Sequence, residues 1–179
     1  MAEPLRDRAW LFWGLYVLLF AAILFVQLLP LETQPRRWAM PDWLLGLTMV
    51  WALRRPEAVP LILVAVCVLI EDFLLQRPPG LWAALLVVAS EVMRSRSDGM
   101  KDGDFFIEWL NAALAMIFVV LGYRLILLIF VVEMPPLAPT LIQLGLTILV
   151  YPAIVFASWA MLGVRKTAVG ETDALGRPV

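Results

Sequence analysis

Six long apolar runs, separated by short clusters of charge, proline and glycine, occupy most of this chain. The first extends from Ala9 to Leu29, close to the ~20 residues a helix needs to cross a bilayer. It is longer than the apolar part of a secretory leader. Pro30-Leu31-Glu32-Thr33-Gln34-Pro35 follows it, rather than small residues suited to cleavage. It reads as a retained helix. The second run, Pro41 to Leu53, is short, with Pro41 placed to open a helix because its missing N–H is needed by nothing there. Arg54-Arg55-Pro56 ends it, and the third run goes from Ala58 to Leu75. The second and third runs are not one helix. Arg54, Arg55 and Glu57 would then lie mid-membrane at about 2.5–3.5 kcal/mol each, beside a proline that breaks the backbone ladder.

Pro78-Pro79-Gly80 predicts a turn, and the fourth run follows from Leu81 to Met93. A polar segment from Arg94 to Asp104 leads to the fifth run, near Phe105 to Val132, which contains Asn111 and Arg124. Met134-Pro135-Pro136 breaks the chain before the sixth run, Leu137 to Leu162. The pattern predicts an all-α integral membrane bundle of six helices in one domain over residues 1–164. A polar tail over 165–179 has little to bury and reads as disordered. The short second and fourth runs are expected to cross by tilting, by borrowing flanking residues such as Trp38 or Arg94, or by local thinning of the bilayer; the alternative is that each is a re-entrant or interfacial segment.

Composition strengthens that picture. The chain is 63% hydrophobic with a mean hydropathy of +0.88, against roughly 45–50% apolar residues in ordinary soluble domains. Charge adds orientation. With six spans, the N-terminus, the second and fourth loops and the C-terminus share one side. That side carries ten Lys and Arg residues, including Arg54, Arg55, Arg94, Arg96 and Lys101, against Arg36, Arg37 and Arg77 on the other. The bias predicts that both termini are cytoplasmic. All eight tryptophans lie near predicted helix ends, as an interfacial aromatic belt requires.

Candidate chemistry is sparse. The chain has no histidine, the commonest general base and metal ligand. Its one cysteine, Cys67, lies within the third run and reads as a small apolar residue. No serine lies in a G-x-S-x-G motif, and no phosphate-binding glycine loop is present. With a net charge of −1 and basic residues along one membrane face, nothing favours nucleic acid as a partner. Asp98-Gly99-Met100-Lys101-Asp102-Gly103-Asp104 has the wrong ligand spacing for a calcium loop. Asp102 and Asp104 instead suit the positive start of the fifth helix. These features predict no enzyme activity, no cofactor and no metal.

The polar residues inside the apolar runs are the informative exceptions: Glu71, Asp72, Asn111 and Arg124. Charge at that depth marks either a functional site or an ion pair between helices. At 1.5 Å per residue, Asp72 lies roughly 21 Å along the third span and Arg124 roughly 26 Å along the fifth. Their comparable depth predicts that Arg124 pairs with Glu71 or Asp72. Asn111 is expected to bond a neighbouring helix, and Glu91 to reach Arg94 or Arg55. Ala153-x-x-x-Ala157 with Ala160, and Ala112-Ala113, suit close helix approach.

One ordered set of motifs carries a resemblance. Pro41-Asp42-Trp43-Leu44-Leu45, Trp51-Ala52-Leu53-Arg54-Arg55-Pro56, Leu69-Ile70-Glu71-Asp72-Phe73 and Arg77-Pro78-Pro79-Gly80-Leu81-Trp82 together resemble the rod shape-determining MreD family. The resemblance covers roughly residues 38–96 by motif and the whole chain by length and span order. Two features depart from the family pattern: Pro79 stands where leucine is usual, and Glu71 adds an acid beside Asp72. The resemblance implies a non-enzymatic subunit of the bacterial inner membrane. Its partner would be MreC and, through it, the RodA–penicillin-binding transpeptidase pair that builds side-wall peptidoglycan, with MreB near the cytoplasmic face. It also implies a fold similar to the substrate-binding subunits of energy-coupling-factor vitamin transporters. A transporter subunit of that kind is the alternative function. As a scaffold, the chain would use Asp72 and Gly80 to shape the outer end, with Gly80 closing the turn into the fourth helix and Pro79 a further candidate for partner contact.

Overall fold

The computed structural model describes residues 6–29, 40–97, 99, 104–132, 134 and 136–162. Each of the six apolar runs forms a helix: α1 (Arg6–Leu28), α2 (Trp43–Arg54), α3 (Leu61–Leu74), α4 (Leu81–Ser97), α5 (Phe105–Ile129) and α6 (Leu137–Leu162). A 3₁₀ turn, Pro56–Ala58, joins α2 to α3. Among the described residues no strand occurs. Among the described residues three helices, α1, α5 and α6, are long and apolar enough to cross a membrane. The other three have 12, 14 and 17 residues, about 18, 21 and 25 Å at helical rise, short of a ~30 Å hydrocarbon core. The chain is thus a helical membrane protein.

Several boundaries differ from expectation. Helix α2 starts at Trp43, not Pro41, because Asp42 is its N-cap: Asp42 Oδ1 accepts the Leu45 amide at 3.0 Å. The Asp42 amide in turn donates to Thr147 Oγ1 of α6 at 2.8 Å, so Pro41 precedes the helix. Helix α3 begins at Leu61, after Pro60, because Pro56–Ala58 is wound as the tighter 3₁₀ turn. Helix α4 runs past Met93 to Ser97 and absorbs Arg94 and Arg96, basic residues that suit a helix C-terminus. Asp104 occupies the N-cap position of α5, but no side-chain capping bond forms there. Trp38, Asp102, Lys101 and the 165–179 tail lie outside the described residues.

Helix α2 is the hub. Leu44 to Leu53 are all buried, and the helix packs against α1, α4, α5 and α6. An all-round apolar helix of this kind belongs in the centre of a bundle. Gly46 allows the closest approach: a Cβ there would lie 2.5 Å from Ile154 Cδ1 of α6. From α1, Tyr16, Phe20 and Leu24 point into the same core. The Tyr16 hydroxyl and Thr48 Oγ1 share a hydrogen bond of 2.9 Å, which satisfies two polar groups that burial would otherwise penalise.

Two packing expectations need correction. Ala112 and Ala113 are buried, but Ala153, Ala157 and Ala160 are exposed. Helix α6 presents Tyr151, Ile154, Val155 and Ser158 inward instead, because its bulky residues fill the space beside Gly46 and α5. Nor do all tryptophans form a surface belt. Trp51 and Trp82 are core residues, whereas Trp10, Trp13, Trp43 and Trp159 are exposed.

Candidate functional site

The carboxylates Glu71 and Asp72 sit in the last turn of α3, and both are fully buried. Acids are unfavourable near the negative end of their own helix. Here the chain doubles back, so that the end of α3 lies beside the start of α4, and each acid has a partner from the turn between them. Arg77 Nη1 donates to Glu71 Oε1 at 3.0 Å. Asp72 Oδ2 accepts the amides of Gly80 at 2.9 Å and Ala83 at 3.2 Å. Asp72 is therefore an N-cap supplied from a distant position, matching its charge to the positive end of α4.

The turn itself is tightly specified. The Arg77 amide returns to the Asp72 carbonyl at 2.9 Å, and the Gln76 amide to that of Phe73 at 3.3 Å. Gln76 has a φ of 54° and Gly80 a φ of 85°. This is the left-handed helix ending that normally favours glycine. Glycine occupies only the second position. The Arg77 guanidinium then lies over the Trp82 ring, 4.7 Å from its centroid, a cation–π contact strengthened by burial. Pro79 projects outward and is exposed. Glu71 Oε2 and Asp72 Oδ1 are buried with no hydrogen-bond partner, so both carboxylates are held by one oxygen each.

Arg124 does not join this cluster. Its Nη1 donates to Thr140 Oγ1 at 2.9 Å, which ties α5 to α6. The expected ion pair with Glu71 or Asp72 is replaced by Arg77, which the turn delivers directly to Glu71, and by the α4 amides, which occupy Asp72. Asn111 does bridge helices: it accepts a hydrogen bond from Arg96 of α4 and donates to the Ile107 carbonyl at 2.8 Å. Glu91 and Arg94 pair at 3.6 Å on the surface of α4.

A second buried ionic cluster has no counterpart in the sequence reading. Arg54, counted there as a loop charge, donates through Nε and Nη2 to both oxygens of Glu108 at 2.7 and 2.9 Å. The Tyr151 hydroxyl adds a third bond to Glu108 Oε1 at 3.3 Å. The three residues come from α2, α5 and α6, and the two-point geometry is the strong form of an arginine–carboxylate contact. The only available signal was an acid in the first turn of α5. Its partner 54 positions away leaves no trace in spacing. Nearby, Trp13 Nε1 donates to the Glu57 carbonyl at 2.7 Å, and the Arg55 guanidinium lies 5.0 Å from the Phe12 ring centre. Both contacts fasten α1 to the 3₁₀ turn.

Two cavities open beside the acidic turn. One, of about 410 Å³, lies between α2, α4, α5 and α6, with Arg77, Tyr123, Arg124 and Thr140 on its wall. The other, of about 610 Å³, lies against α1, with Ala22, Ile23, Val26 and Trp43 on its wall. Among the described residues no three His, Cys, Asp or Glu side chains cluster to hold a metal, and Cys67 is a buried free thiol. Comparison of the chain with family models, curated proteins and solved structures finds no match.

Proposed function

We propose that this chain is a scaffold subunit of the bacterial rod complex, of the MreD type, which holds the membrane helix of MreC. In this reading all six helices cross the inner membrane, with both termini in the cytoplasm. The subunit supports side-wall peptidoglycan synthesis without performing chemistry itself. Through MreC it meets the RodA–transpeptidase pair.

The observation that carries the reading is the remote capping of α4 by Asp72. The motifs behind the resemblance each occupy a joint of the fold. Asp42 caps α2, and Arg54-Arg55-Pro56 turns the chain into α3. Asp72 caps α4, and Gly80 takes the left-handed conformation before it. Residues used this way set shape and rigidity, which is what a binding surface needs. The exposed Pro79 sits at the tip of the most constrained turn, where a rigid surface presents least entropy cost to a partner. Depletion of the protein in its host tests the reading. Rods rounding into spheres, restored by the wild-type chain, are expected; unchanged rods contradict it.

A second reading, a small-molecule transporter subunit, draws on the 410 Å³ cavity, which falls within the ~300–1,000 Å³ range of ligand pockets. Its signature would be a bound vitamin or an associated ATPase pair after purification from membranes.

A further inference from the structure

Four helix ends meet at one end of the bundle: α1 and α3 finish there, and α2 and α6 begin. The cavity of about 610 Å³ lies among them and takes wall residues from each. Most of the wall is apolar, with Ala22, Ile23 and Val26 of α1 and Leu75 at the end of α3. Ala22, Val26 and Trp43 are exposed, so the cavity opens at the surface. Four polar side chains interrupt this wall: Gln27, Asp42, Arg77 and Gln143. Among the described residues neither glutamine side-chain amide has a hydrogen-bond partner. Polar groups placed in an apolar wall without a partner are the usual means by which a pocket fixes a ligand's orientation.

The charges in that wall do not cancel. Arg77 is already matched by the buried Glu71 carboxylate at 3.0 Å, and its guanidinium rests on the Trp82 ring. Arg124 lines the other cavity and not this one. Among the described residues Asp42 has no salt bridge, and it caps α2 through Oδ1 alone, which leaves Oδ2 for a second donor. The one unmatched charge of this cavity is therefore negative. Beside it stands Trp43, 41% exposed, and indole is the best aromatic surface for a cation. We propose that this cavity is a binding site for a free organic amine, a protonated primary ammonium group on an apolar body. Asp42 Oδ2 and the carbonyl oxygens of Gln27 and Gln143 are acceptors for the ammonium N–H groups, of which there are three. The Trp43 ring adds attraction for the charge, and the α1 side of the wall takes the apolar body out of water. An ethanolamine lipid head is a poorer occupant, because it brings a phosphate for which the wall has no unmatched cation. The site stands independently of the partner assigned above.

The test uses the full-length protein in phosphatidylcholine nanodiscs and three probes with one apolar body: 4-phenylbutylamine, 4-phenylbutanol and 4-phenylbutyrate. Each is titrated calorimetrically. The amine is expected to bind saturably, one per chain, with the alcohol about tenfold weaker or worse and the carboxylate not bound. Asp42→Asn keeps an oxygen able to cap α2 and removes the charge. It is expected to weaken the amine about tenfold and to leave the alcohol unchanged. Ala22→Trp fills the apolar part from an exposed position and is expected to weaken both. Wild-type protein that binds no amine, or binds amine and alcohol equally, overturns the proposal. So does Asp42→Asn with undiminished amine affinity at an unchanged unfolding midpoint. Adding phosphatidylethanolamine to the nanodisc is expected to leave amine binding as it was; its loss there would give the site to a lipid head and overturn the assignment to a free amine.

Discussion

Asp72 caps a helix that begins nine residues after it, accepting the amide of Ala83 at 3.2 Å across 11 positions of sequence. The same oxygen takes the Gly80 amide. Asp72→Ala removes both bonds to a charged acceptor, and a loss of about 2–3 kcal/mol is expected. Asp72→Asn keeps an acceptor oxygen and is expected to lose less than half as much. Thermal unfolding midpoints of the two variants in one detergent check the order. Equal losses would show that the charge matters and the capping geometry does not.

The Arg54–Glu108 pair behaves differently, because the buried Glu108 carboxylate is held by a guanidinium rather than by backbone amides. Glu108→Ala leaves Arg54 without its counter-charge, and about 3–5 kcal/mol is expected to be lost. Arg54→Met combined with Glu108→Leu removes both charges together and is expected to be milder than Glu108→Ala. A double-mutant cycle on thermal stability measures the coupling.

Two residues past the end of α5, Val131 has a φ of 55°, and the Val132 amide returns to the Leu127 carbonyl at 3.0 Å. A β-branched residue in the left-handed region costs roughly 1–2 kcal/mol, and Val131 is 90% exposed, so it offers little packing in return. Val131→Gly is expected to stabilise the protein by about 1 kcal/mol, seen as a raised unfolding midpoint.

The helices were legible in sequence and the partnerships were not. Helix α6 has the bounds of its apolar run, Leu137–Leu162, because hydrophobic length and flanking prolines are local signals. Glu71 and Asp72 were identified as buried acids because charge inside an apolar run is conspicuous. Their partners depended on the path of the turn. Arg77 reads as a loop charge, and only the reversal at Gln76 brings it back onto Glu71. Arg54 reads as a loop charge for the same reason: a helix end looks solvated until a distant glutamate is packed against it. Alanine spacing is a weak guide to the inward face of α6, whereas Gly46, on the opposing helix, sets the contact with Ile154.

The proposed orientation makes a separate prediction. A reporter fused after Val179 is expected to be active only in its cytoplasmic form, and one inserted in the Pro78–Gly80 turn only in its periplasmic form. A periplasmic signal from the C-terminal fusion would reverse the faces and leave Asp72 and Pro79 on the wrong side for the partner.

The most direct measurement is affinity purification of the tagged chain from its own membranes, with the amount of MreC recovered per chain quantified. Abundant MreC with the wild-type protein is predicted, falling several-fold in Glu71→Ala/Asp72→Ala at matched protein levels. A wild-type preparation that carries no MreC would contradict the account.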